Sequence, residues 1–442
     1  MPLPTVATNA LRSVAIQGLL LKERLRSGVA FNPLDPGLRE NPYPTYHRLR
    51  TKDPVHRSEL TKGWMLSRHT DVMALLRDPR FSAKRELSND AAFVIGDDMS
   101  PFNQWISKTL LTIDPPDHTR LRSLASKAFT PRAVELMRPR IIQIVDELLD
   151  AVQARGQMDI IRDLAYPLPV IVIAEMLGVP AADRSMFKAW SDAIGEGLEP
   201  ILTPAQLKAA DEAVTQLSAY FRQIIRERKA APQDDLISAM AAAQEDGERL
   251  SEDELYAMCI LLLAAGNETT TNLIGNGMLA LLRNPAQLAQ LRDHPALIDG
   301  AIEELLRYDS PVQMTGRVAT EDLEIGGKKI KRGEFVGVLL GAANRDPEVF
   351  AQPDRLDVSR TAVRHAALGY GIHFCLGAPL ARVEGQIAID ELLRRMPGLR
   401  LAGRPQWRPT ILLRGLKTLP VAFSTTPQSS AAGAEPARAA VA

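Results

Sequence analysis

The fold prediction starts from the stretch Leu368-Gly369-Tyr370-Gly371-Ile372-His373-Phe374-Cys375-Leu376-Gly377-Ala378-Pro379-Leu380-Ala381-Arg382. Its first two glycines let the backbone turn sharply and approach a flat ligand closely. An apolar helical pattern follows the cysteine (Leu380, Val383 and Ile387), so Cys375 stands at the start of a helix. Backbone N–H groups at a helix start favour a thiolate over a thiol. The pattern therefore predicts a thiolate that can bind a metal from one side.

The same stretch resembles the haem-binding sequence of the cytochrome P450 family, whose cysteine is the axial thiolate of haem b. The positions that match the family's spacing are Gly369, Gly371, His373, Cys375, Gly377, Leu380 and Ala381. The resemblance implies that Cys375 binds the haem iron and that Gly377 leaves room for the haem beside the helix. The alternative, a structural cysteine in a glycine-rich turn, is much less favoured by this spacing.

One position of the stretch departs from the family. Leu368 stands where the family usually has a phenylalanine packed beside the sulfur. Because groups around a metal ligand tune the metal, we expect the reduction potential of the iron to differ from that of family members with phenylalanine.

A second informative segment is a long helical pattern in the middle of the chain. Ser251 can cap its start, and Glu254 can complete a capping box. The pattern runs to Asn284, just before Pro285, which corresponds to about 50 Å at 1.5 Å per residue. It predicts a helix that crosses the whole molecule.

Residues 264–271 of this helix read Ala-Ala-Gly-Asn-Glu-Thr-Thr-Thr, in which the glycine, the asparagine and the three threonines are poor helix formers. Gly266 permits a local opening of the helix, and a threonine hydroxyl can bond the freed carbonyl. A tolerated polar turn is the alternative. The segment is similar to the family's Ala-Gly-x-acid-Thr element over the oxygen-binding face of the haem. The resemblance implies that Glu268 relays protons and Thr269 hydrogen-bonds the oxygen, whereas Thr270 and Thr271 point elsewhere around the helix.

Basic residues provide candidate contacts to the two haem propionates. His118 and Arg122 are four residues apart on a helix that begins near Asp117, so they share a face. Cationic or donating side chains suit carboxylate groups. The resemblance adds Arg317 and His373 to this set; a solvated basic helix surface is the alternative.

The segment Glu304-x-x-Arg307 is a weak signal alone, because such pairs are common on exposed helices. In the family this pair is buried and is joined by a downstream arginine, which the resemblance assigns to Arg355. We expect these three residues to serve folding around the haem.

The family resemblance implies a monooxygenase that uses O2. We expect a separate ferredoxin and ferredoxin reductase to supply electrons, because no flavin or iron–sulfur segment follows the haem-binding residues. Arg120 and Lys127 are predicted to be available to such an acidic partner. A peroxide-driven peroxygenase or an isomerase of the same fold is one alternative, and a non-catalytic haem sensor is another. Glu268 and Thr269 count against both.

The substrate pocket is predicted in family terms to be mostly apolar, which suits a lipophilic small molecule. Its candidate lining residues are Phe93, Val94, Phe102, Trp190, Ala265, Val312, Ile411 and Leu412.

Composition sets the limits of these predictions. The 442 residues carry 53 basic and 53 acidic side chains, and the zero net charge argues against nucleic-acid binding. The longest apolar run, residues 256–266, is shorter than the roughly 20 residues of a membrane span. The absence of a secretion signal and the presence of only two cysteines indicate a reducing, cytoplasmic compartment. Cys259, in an apolar helix face, is predicted to be a core residue, and the protein is expected to be a monomer.

The predicted fold is mainly α with a small β region, a cytochrome P450 fold with a long central helix over a haem held between helices. Strands are predicted at 64–66, 323–325, 335–340 and 419–423. We expect an amphipathic segment over 1–30, a single haem-thiolate domain over 31–424, and a disordered tail over 425–442. The N-terminal segment can be a membrane contact or a helix docked on the body, and its short apolar face favours the latter.

Overall fold

A computed structural model describes residues 5–89, 100–200, 202–244, 247–361 and 364–425 of the chain. Its α-helices are α1 (Thr5–Ser27), α2 (Pro36–Glu40), α3 (Tyr43–Lys52), α4 (His69–Leu75), α5 (Pro101–Ile106), α6 (Asp117–Ala128), α7 (Pro131–Gln153), α8 (Pro167–Met176), α9 (Arg184–Gly197), α10 (Pro204–Ala230), α11 (Leu236–Ala242), α12 (Glu252–Arg283), α13 (Pro285–Asp293), α14 (Ile298–Tyr308), α15 (Leu340–Ala343) and α16 (Ala378–Arg395). Its strands are β1 (Val55–Arg57), β2 (Trp64–Leu66), β3 (Phe81–Ser82), β4 (Gln157–Asp159), β5 (Met314–Ala319), β6 (Leu323–Ile325), β7 (Lys328–Ile330), β8 (Phe335–Leu339), β9 (Arg400–Leu401), β10 (Gln406–Trp407), β11 (Leu416–Thr418) and β12 (Pro420–Ala422).

Helix α12 is the long central helix that the sequence predicts. The Ser251 side chain accepts from the Glu254 N–H, and the Glu254 side chain accepts from the Ser251 N–H, so the capping box is confirmed. Most of the helix is buried because α8, α9, α10, α14 and α16 pack around it. A polar stretch such as 264–271 is thereby held in the middle of the protein, where it can serve a buried site.

The β region is small and lies to one side of the helices. Its main sheet has the order β1-β2-β8-β5-β3, in which β2 and β8 are parallel and the other pairs are antiparallel. The three-stranded sheet has the order β4-β12-β9, and β6–β7 and β10–β11 are two-stranded. The predicted strands are confirmed to within about one or two residues of their ends. Strand β5 carries Arg317, so the main sheet positions one of the candidate haem contacts.

The two ends of the chain differ in what the structure describes. Helix α1 packs on the body through Leu20 and Glu23, as expected for a docked helix. The predicted disordered tail lies outside the described residues, apart from Thr425. Within the described ranges, no helix is long and apolar enough to cross a membrane.

Candidate active site

An apolar cavity of about 300 Å³ lies between helix α12 and the stretch that contains Cys375. Helix α12 contributes Leu261, Leu262, Ala265, Gly266, Thr269, Thr270 and Leu273 to its lining, and residues 367–377 contribute all but Gly371 and Ile372. The sulfur-bearing loop and the candidate oxygen-binding segment of α12 therefore meet at one cavity, although they are about 100 residues apart in sequence.

Cys375 is held at the start of α16 by its backbone. Its N–H donates to the Leu368 carbonyl over 2.9 Å. Burial raises the pKa of the Cys375 thiol, while hydrogen bonds from the Gly377 and Ala378 N–H groups and the charge of Arg122 act against that rise. The protein thus provides donors for a thiolate without fully stabilising it. A bound metal cation would supply the remaining stabilisation, since a coordinating thiol is deprotonated.

Two glycines explain the shape of this loop. Gly371 has φ +70°, and a Cβ there would overlap the Leu76 carbonyl oxygen, so only glycine fits. Gly377 has an ordinary φ, but a Cβ there would lie 4.0 Å from the Cys375 sulfur, and beyond its chain neighbours no other atom of the described residues would be so near. Gly377 therefore leaves open space directly beside the sulfur, as a flat ligand requires.

Four basic side chains converge beside the cavity. Arg122, Arg317 and His373 line it, and the His118 and His373 rings lie 4.3 Å apart. Burial lowers the pKa of Arg317 to about 10 and that of His373 to about 3. Burial and the charges of Arg122 and Arg317 also lower the pKa of His118.

The basic cluster is neutralised only in part: the charge of Asp114 acts on Arg317, His118 and His373, but from beyond salt-bridge distance. Within the described ranges, neither Arg122 nor Arg317 has a carboxylate partner within salt-bridge distance, and the Arg317 Nη1 donates to the Gly316 carbonyl over 2.8 Å. The buried Nε2 of His118 has no hydrogen-bond partner there either. Buried cations and donors are normally paired. The cluster therefore fits an anionic group such as a pair of carboxylates.

On helix α12, the Thr269 hydroxyl donates to the Ala265 carbonyl over 2.7 Å. The sequence predicts such a bond at an opened helix, but α12 is continuous here. A Cβ placed at Gly266 would have Ile173, at 4.0 Å, as its nearest side chain, so this glycine keeps the cavity wall open. Thr270 also lines the cavity, contrary to the expectation that it points elsewhere. Thr271 does point elsewhere, since its hydroxyl donates to Ala165.

Glu268 is buried but does not line the cavity. Its Oε1 lies 3.2 Å from the Arg408 Nη1, and Arg408 also lies 3.5 Å from Asp192. A Cβ at Gly195 would overlap the Glu268 Oε2, so the carboxyl is packed against the backbone of α9. Burial raises the pKa of Glu268 to about 7 even though Arg408 lowers it. This side chain can thus gain and lose a proton near neutral pH.

The buried pair Glu304–Arg307 is present, with N–O distances of 2.7 and 2.8 Å and both side chains fully buried. The prediction that Arg355 is the third member of this network is wrong. The Arg355 side chain is exposed and only its carbonyl accepts from Arg307, whereas the Arg360 Nε donates to Glu304 over 3.0 Å. The loop path places Arg360, five residues later, over the carboxylate.

The predicted docking cations are engaged inside the protein. Arg120 forms ion pairs with Glu254 and Glu248, and Lys127 donates to the Gln244 carbonyl over 2.8 Å. The availability expected for Arg120 and Lys127 is therefore wrong.

The candidate pocket residues divide into three groups. Ala265 and Val312 line the cavity. Among the described residues, Phe102, Trp190, Ile411 and Leu412 are not part of its lining: Phe102 and Trp190 pack in aromatic clusters of the core, and Ile411 and Leu412 pack beside the main sheet. Phe93 and Val94 lie outside the described residues. Cys259 is fully buried in the core, as predicted.

Comparison with known proteins decides the identity of this site. The family model described as Cytochrome P450 matches residues 58–397. The chain belongs to the cytochrome P450 family. It is accordingly an oxidoreductase of the P450 monooxygenase type with haem b as cofactor, bound through a cysteine thiolate. The open space beside Cys375 and the basic cluster, whose two arginines have no carboxylate within salt-bridge distance in the described ranges, both fit that group: Cys375 would hold the iron, and Arg122, Arg317, His118 and His373 would hold the propionates.

Curated relatives and solved structures match over most of their length. The polyketide biosynthesis cytochrome P450 PksS of Bacillus subtilis is 42% identical over 89% of this chain and 98% of the relative. The vitamin D(3) 25-hydroxylase of Pseudonocardia autotrophica is 43% identical over 86% of this chain and 94% of the relative. The crystal structure of P450BioI in complex with an acyl carrier protein carrying hexadec-9Z-enoic acid matches with a TM-score of 0.83 and 42% identity, over 88% of this chain and 99% of that one.

Sequence reasoning missed three polar groups near the site: Arg408, Asp192 and the buried Glu384 of α16. Arg408 and Asp192 are distant from Glu268 in sequence, so no local pattern indicates their approach. Glu384 could have been found, because a carboxylate between Val383 and Gly385 interrupts the buried face of a helix.

Proposed function

We propose that this P450 inserts one oxygen atom from O2 into a lipophilic small molecule, by hydroxylation or epoxidation, with electrons from a separate ferredoxin and ferredoxin reductase. The observation that carries the proposal is that Cys375 and Thr269 line the same apolar cavity. A thiolate-bound haem at Cys375 would supply the activation of O2. The protein would act as a cytoplasmic monomer.

Thr269 would position a proton at the oxygen-binding face. Its one hydroxyl hydrogen is used by the Ala265 carbonyl, so its oxygen can accept a hydrogen bond from a protonated group in the cavity. Glu268 would bring protons from the side of Arg408 and Asp192, because its pKa of about 7 makes both of its protonation states accessible. Delivery then requires the carboxyl to turn from Arg408 toward the cavity.

The substrate would be a largely apolar molecule. Besides the basic cluster and the threonines, the lining consists mostly of aliphatic residues such as Leu261, Leu262, Leu273, Val312 and Leu340. Relatives are named for polyketide biosynthesis and for vitamin D(3) hydroxylation, which are both chemistries of lipophilic carbon skeletons. We therefore propose a polyketide-like or steroid-like substrate class.

The redox partner would dock on the surface of the cysteine loop. Tyr370 and Ile372 are exposed there, and the Arg77 guanidinium stacks over the Tyr370 ring at 5.2 Å. Exposed apolar residues with a neighbouring cation suit an acidic iron–sulfur protein. This surface replaces the Arg120 and Lys127 surface predicted from the sequence.

The experiment has two parts. Reduced protein under carbon monoxide should show the red-shifted Soret band of thiolate ligation, and Cys375→Ala should lose it. A panel of polyketides, steroids and fatty acids is then tested for spectral shifts and for product with NAD(P)H plus surrogate ferredoxin and reductase, with hydrogen peroxide alone, or with neither. Product with peroxide alone would favour a peroxygenase, and ligand shifts without product under any condition would favour a sensor.

A further inference from the structure

The N-terminal helix α1 is held on the body by a buried polar network. The carboxylate of Glu23 is fully buried and accepts from the Phe31 N–H over 2.8 Å and from the Glu59 N–H over 2.5 Å. Its Oε2 also lies 3.1 Å from the Nε2 of His56, whose Nδ1 lies 2.9 Å from Asp53. A buried carboxylate is costly unless it keeps such partners. The network therefore fixes which face of α1 turns inward.

The opposite face of α1 is apolar and exposed. We call Val14, Leu21 and Leu25 the outer stripe; their exposed fractions are 71%, 54% and 79%. At about 100° per residue these three positions lie within roughly 40° of one another around the helix. Gly18 lies close to the same line, and among the residues whose side chains are described, apart from its chain neighbours, no side chain lies within 4 Å of a Cβ placed there. Single exposed leucines are common, but an apolar stripe facing outward while a carboxylate faces inward inverts the usual pattern.

The surroundings of the outer stripe are basic. Lys22 and Arg24 flank it on α1, and both are exposed. Lys22 and Arg26 share the single carboxylate of Glu59, at 3.1 and 2.7 Å. Two acidic groups beneath α1, Glu23 and Asp53, are buried against His56. An apolar ridge with cationic flanks is the pattern of helices that lie in the interface of an anionic membrane.

Two further observations favour a lipid membrane over a second copy of the chain as the partner of the outer stripe. In a pair of identical helices that met along this stripe, Lys22 and Arg24 would flank the seam on both copies, so like charges would oppose each other. The family model begins at residue 58, so α1 lies outside the matched range and can carry a property of this chain. We propose that the outer stripe of α1 docks this enzyme reversibly on the surface of an anionic lipid membrane, with Val14, Leu21 and Leu25 inserted among the lipids and Lys22 and Arg24 at the headgroups.

The proposal does not depend on the catalysed reaction, and it is tested by the binding of the protein to lipid vesicles. The holoenzyme is sedimented with vesicles of phosphatidylcholine alone or mixed with phosphatidylglycerol. We expect binding to the mixed vesicles, weaker binding to phosphatidylcholine alone, and a decrease with added salt. The double variant Leu21→Ser/Leu25→Ser should bind at least about tenfold more weakly, because it loses two inserted side chains. Its melting temperature should be unchanged, since both side chains face solvent.

Leu136 of α7 supplies the matched control, since it is 74% exposed but lies on another helix. Leu136→Ser should bind vesicles as the wild type does. Wild-type protein that stays in the supernatant with phosphatidylglycerol vesicles, or a double variant that binds equally well, would overturn the proposal. Sedimentation velocity distinguishes the main alternative: self-association that the double variant abolishes, without vesicle binding, would assign the stripe to a second copy of the chain.

Discussion

The Glu268 carboxylate lies 3.2 Å from the Arg408 guanidinium, and this contact faces helix α9, whereas the neighbouring Thr269 lines the cavity. The acid and the alcohol of the family element are therefore on different sides of α12, as adjacent residues on a helix are expected to be. Arg408 lowers the pKa of Glu268, but burial raises it to about 7. Proton supply to the cavity would thus depend on a contact outside it.

This arrangement predicts the pH dependence of reductant oxidation. Glu268 is protonated below about pH 7, so a rate that depends on this acid should fall as pH rises through 7. Arg408→Gln should displace the fall to higher pH, because the cation that lowers the pKa of Glu268 is lost. Glu268→Gln should slow the reaction and abolish this pH dependence. NAD(P)H oxidation is followed from pH 6 to about 9 with ferredoxin in excess; an unshifted profile for Arg408→Gln would contradict the coupling.

Loss of the Thr269 hydroxyl should uncouple reductant oxidation from product. If this hydroxyl positions a proton at the oxygen-binding face, product formation by Thr269→Ala should fall by about 10²–10⁴-fold. NAD(P)H oxidation should continue and yield hydrogen peroxide instead. The ratio of product to NAD(P)H consumed is measured, with peroxide assayed alongside.

Two variants control for this effect. Thr269→Ser keeps the hydroxyl and should retain coupling. Thr271→Val removes a hydroxyl that bonds Ala165 outside the cavity, and should stay coupled in the protein that folds. Thr270 lines the cavity and is unsuitable as a control. Equal uncoupling in Thr269→Ala and Thr271→Val would mean that the hydroxyl of Thr269 has no special role.

Substitution of Arg317 should stabilise the haem-free protein but weaken the binding of haem. Without haem, this buried guanidinium has no carboxylate within salt-bridge distance in the described ranges, and burial lowers its pKa to about 10 although the more distant Asp114 acts against that. Arg317→Met should therefore raise the melting temperature of the haem-free protein. The same variant should release haem to apomyoglobin at least about tenfold faster, because a charge-assisted hydrogen bond is worth about 1.5–3 kcal/mol. Arg404→Met, at an exposed position, should change neither quantity; faster haem loss there, or none in Arg317→Met, would remove the propionate assignment.

Arg360 and Arg355 should differ in their contribution to stability, because, of the two, only the Arg360 side chain contacts Glu304. Arg360→Ala removes a donor to Glu304 and should destabilise the holoenzyme by about 1.5–3 kcal/mol. Arg355→Ala should change stability by less than about 0.5 kcal/mol, since its side chain is exposed. Thermal unfolding followed by circular dichroism compares the two. A larger loss in Arg355→Ala than in Arg360→Ala would mean that the loop adopts the path predicted from the sequence.

These cases show where the sequence predicts this structure and where it does not. The bounds of α12 and the Glu304–Arg307 pair follow from patterns within a few residues, and both are confirmed. The choice of Arg360 over Arg355 depends on a loop path that no local pattern encodes. The ion pair of Arg120 with Glu254 and the contact of Arg408 with Glu268 join residues more than 130 apart, so they depend on the packing of the whole chain.

Glu384 is a buried carboxyl of α16 that should make stability depend on pH. Burial raises its pKa to about 8, and the Thr270 side chain, which also lines the cavity, opposes this rise only in part. Neither oxygen has a hydrogen bond of ordinary geometry to a described residue. Below pH 8 the side chain is therefore a neutral acid in the folded protein, whereas in the unfolded chain it ionises above its ordinary value of 4.5. The folded state binds the proton more tightly, so the stabilisation present at pH 4.5 is lost progressively as pH rises toward 8.

Glu384→Gln keeps the shape of the neutral acid and removes its titration. The melting temperature of the variant relative to wild type should therefore increase steadily between about pH 5 and 8 and become constant above that range. Glu391→Gln on the same helix is the control, because Glu391 pairs with Arg394 near the surface. A difference between Glu384→Gln and wild type that does not vary with pH would show that Glu384 is ionised in the folded protein. An ionised Glu384 would need a compensating buried cation or hydrogen-bond donor, and the uncharged Thr270 could not supply the positive charge.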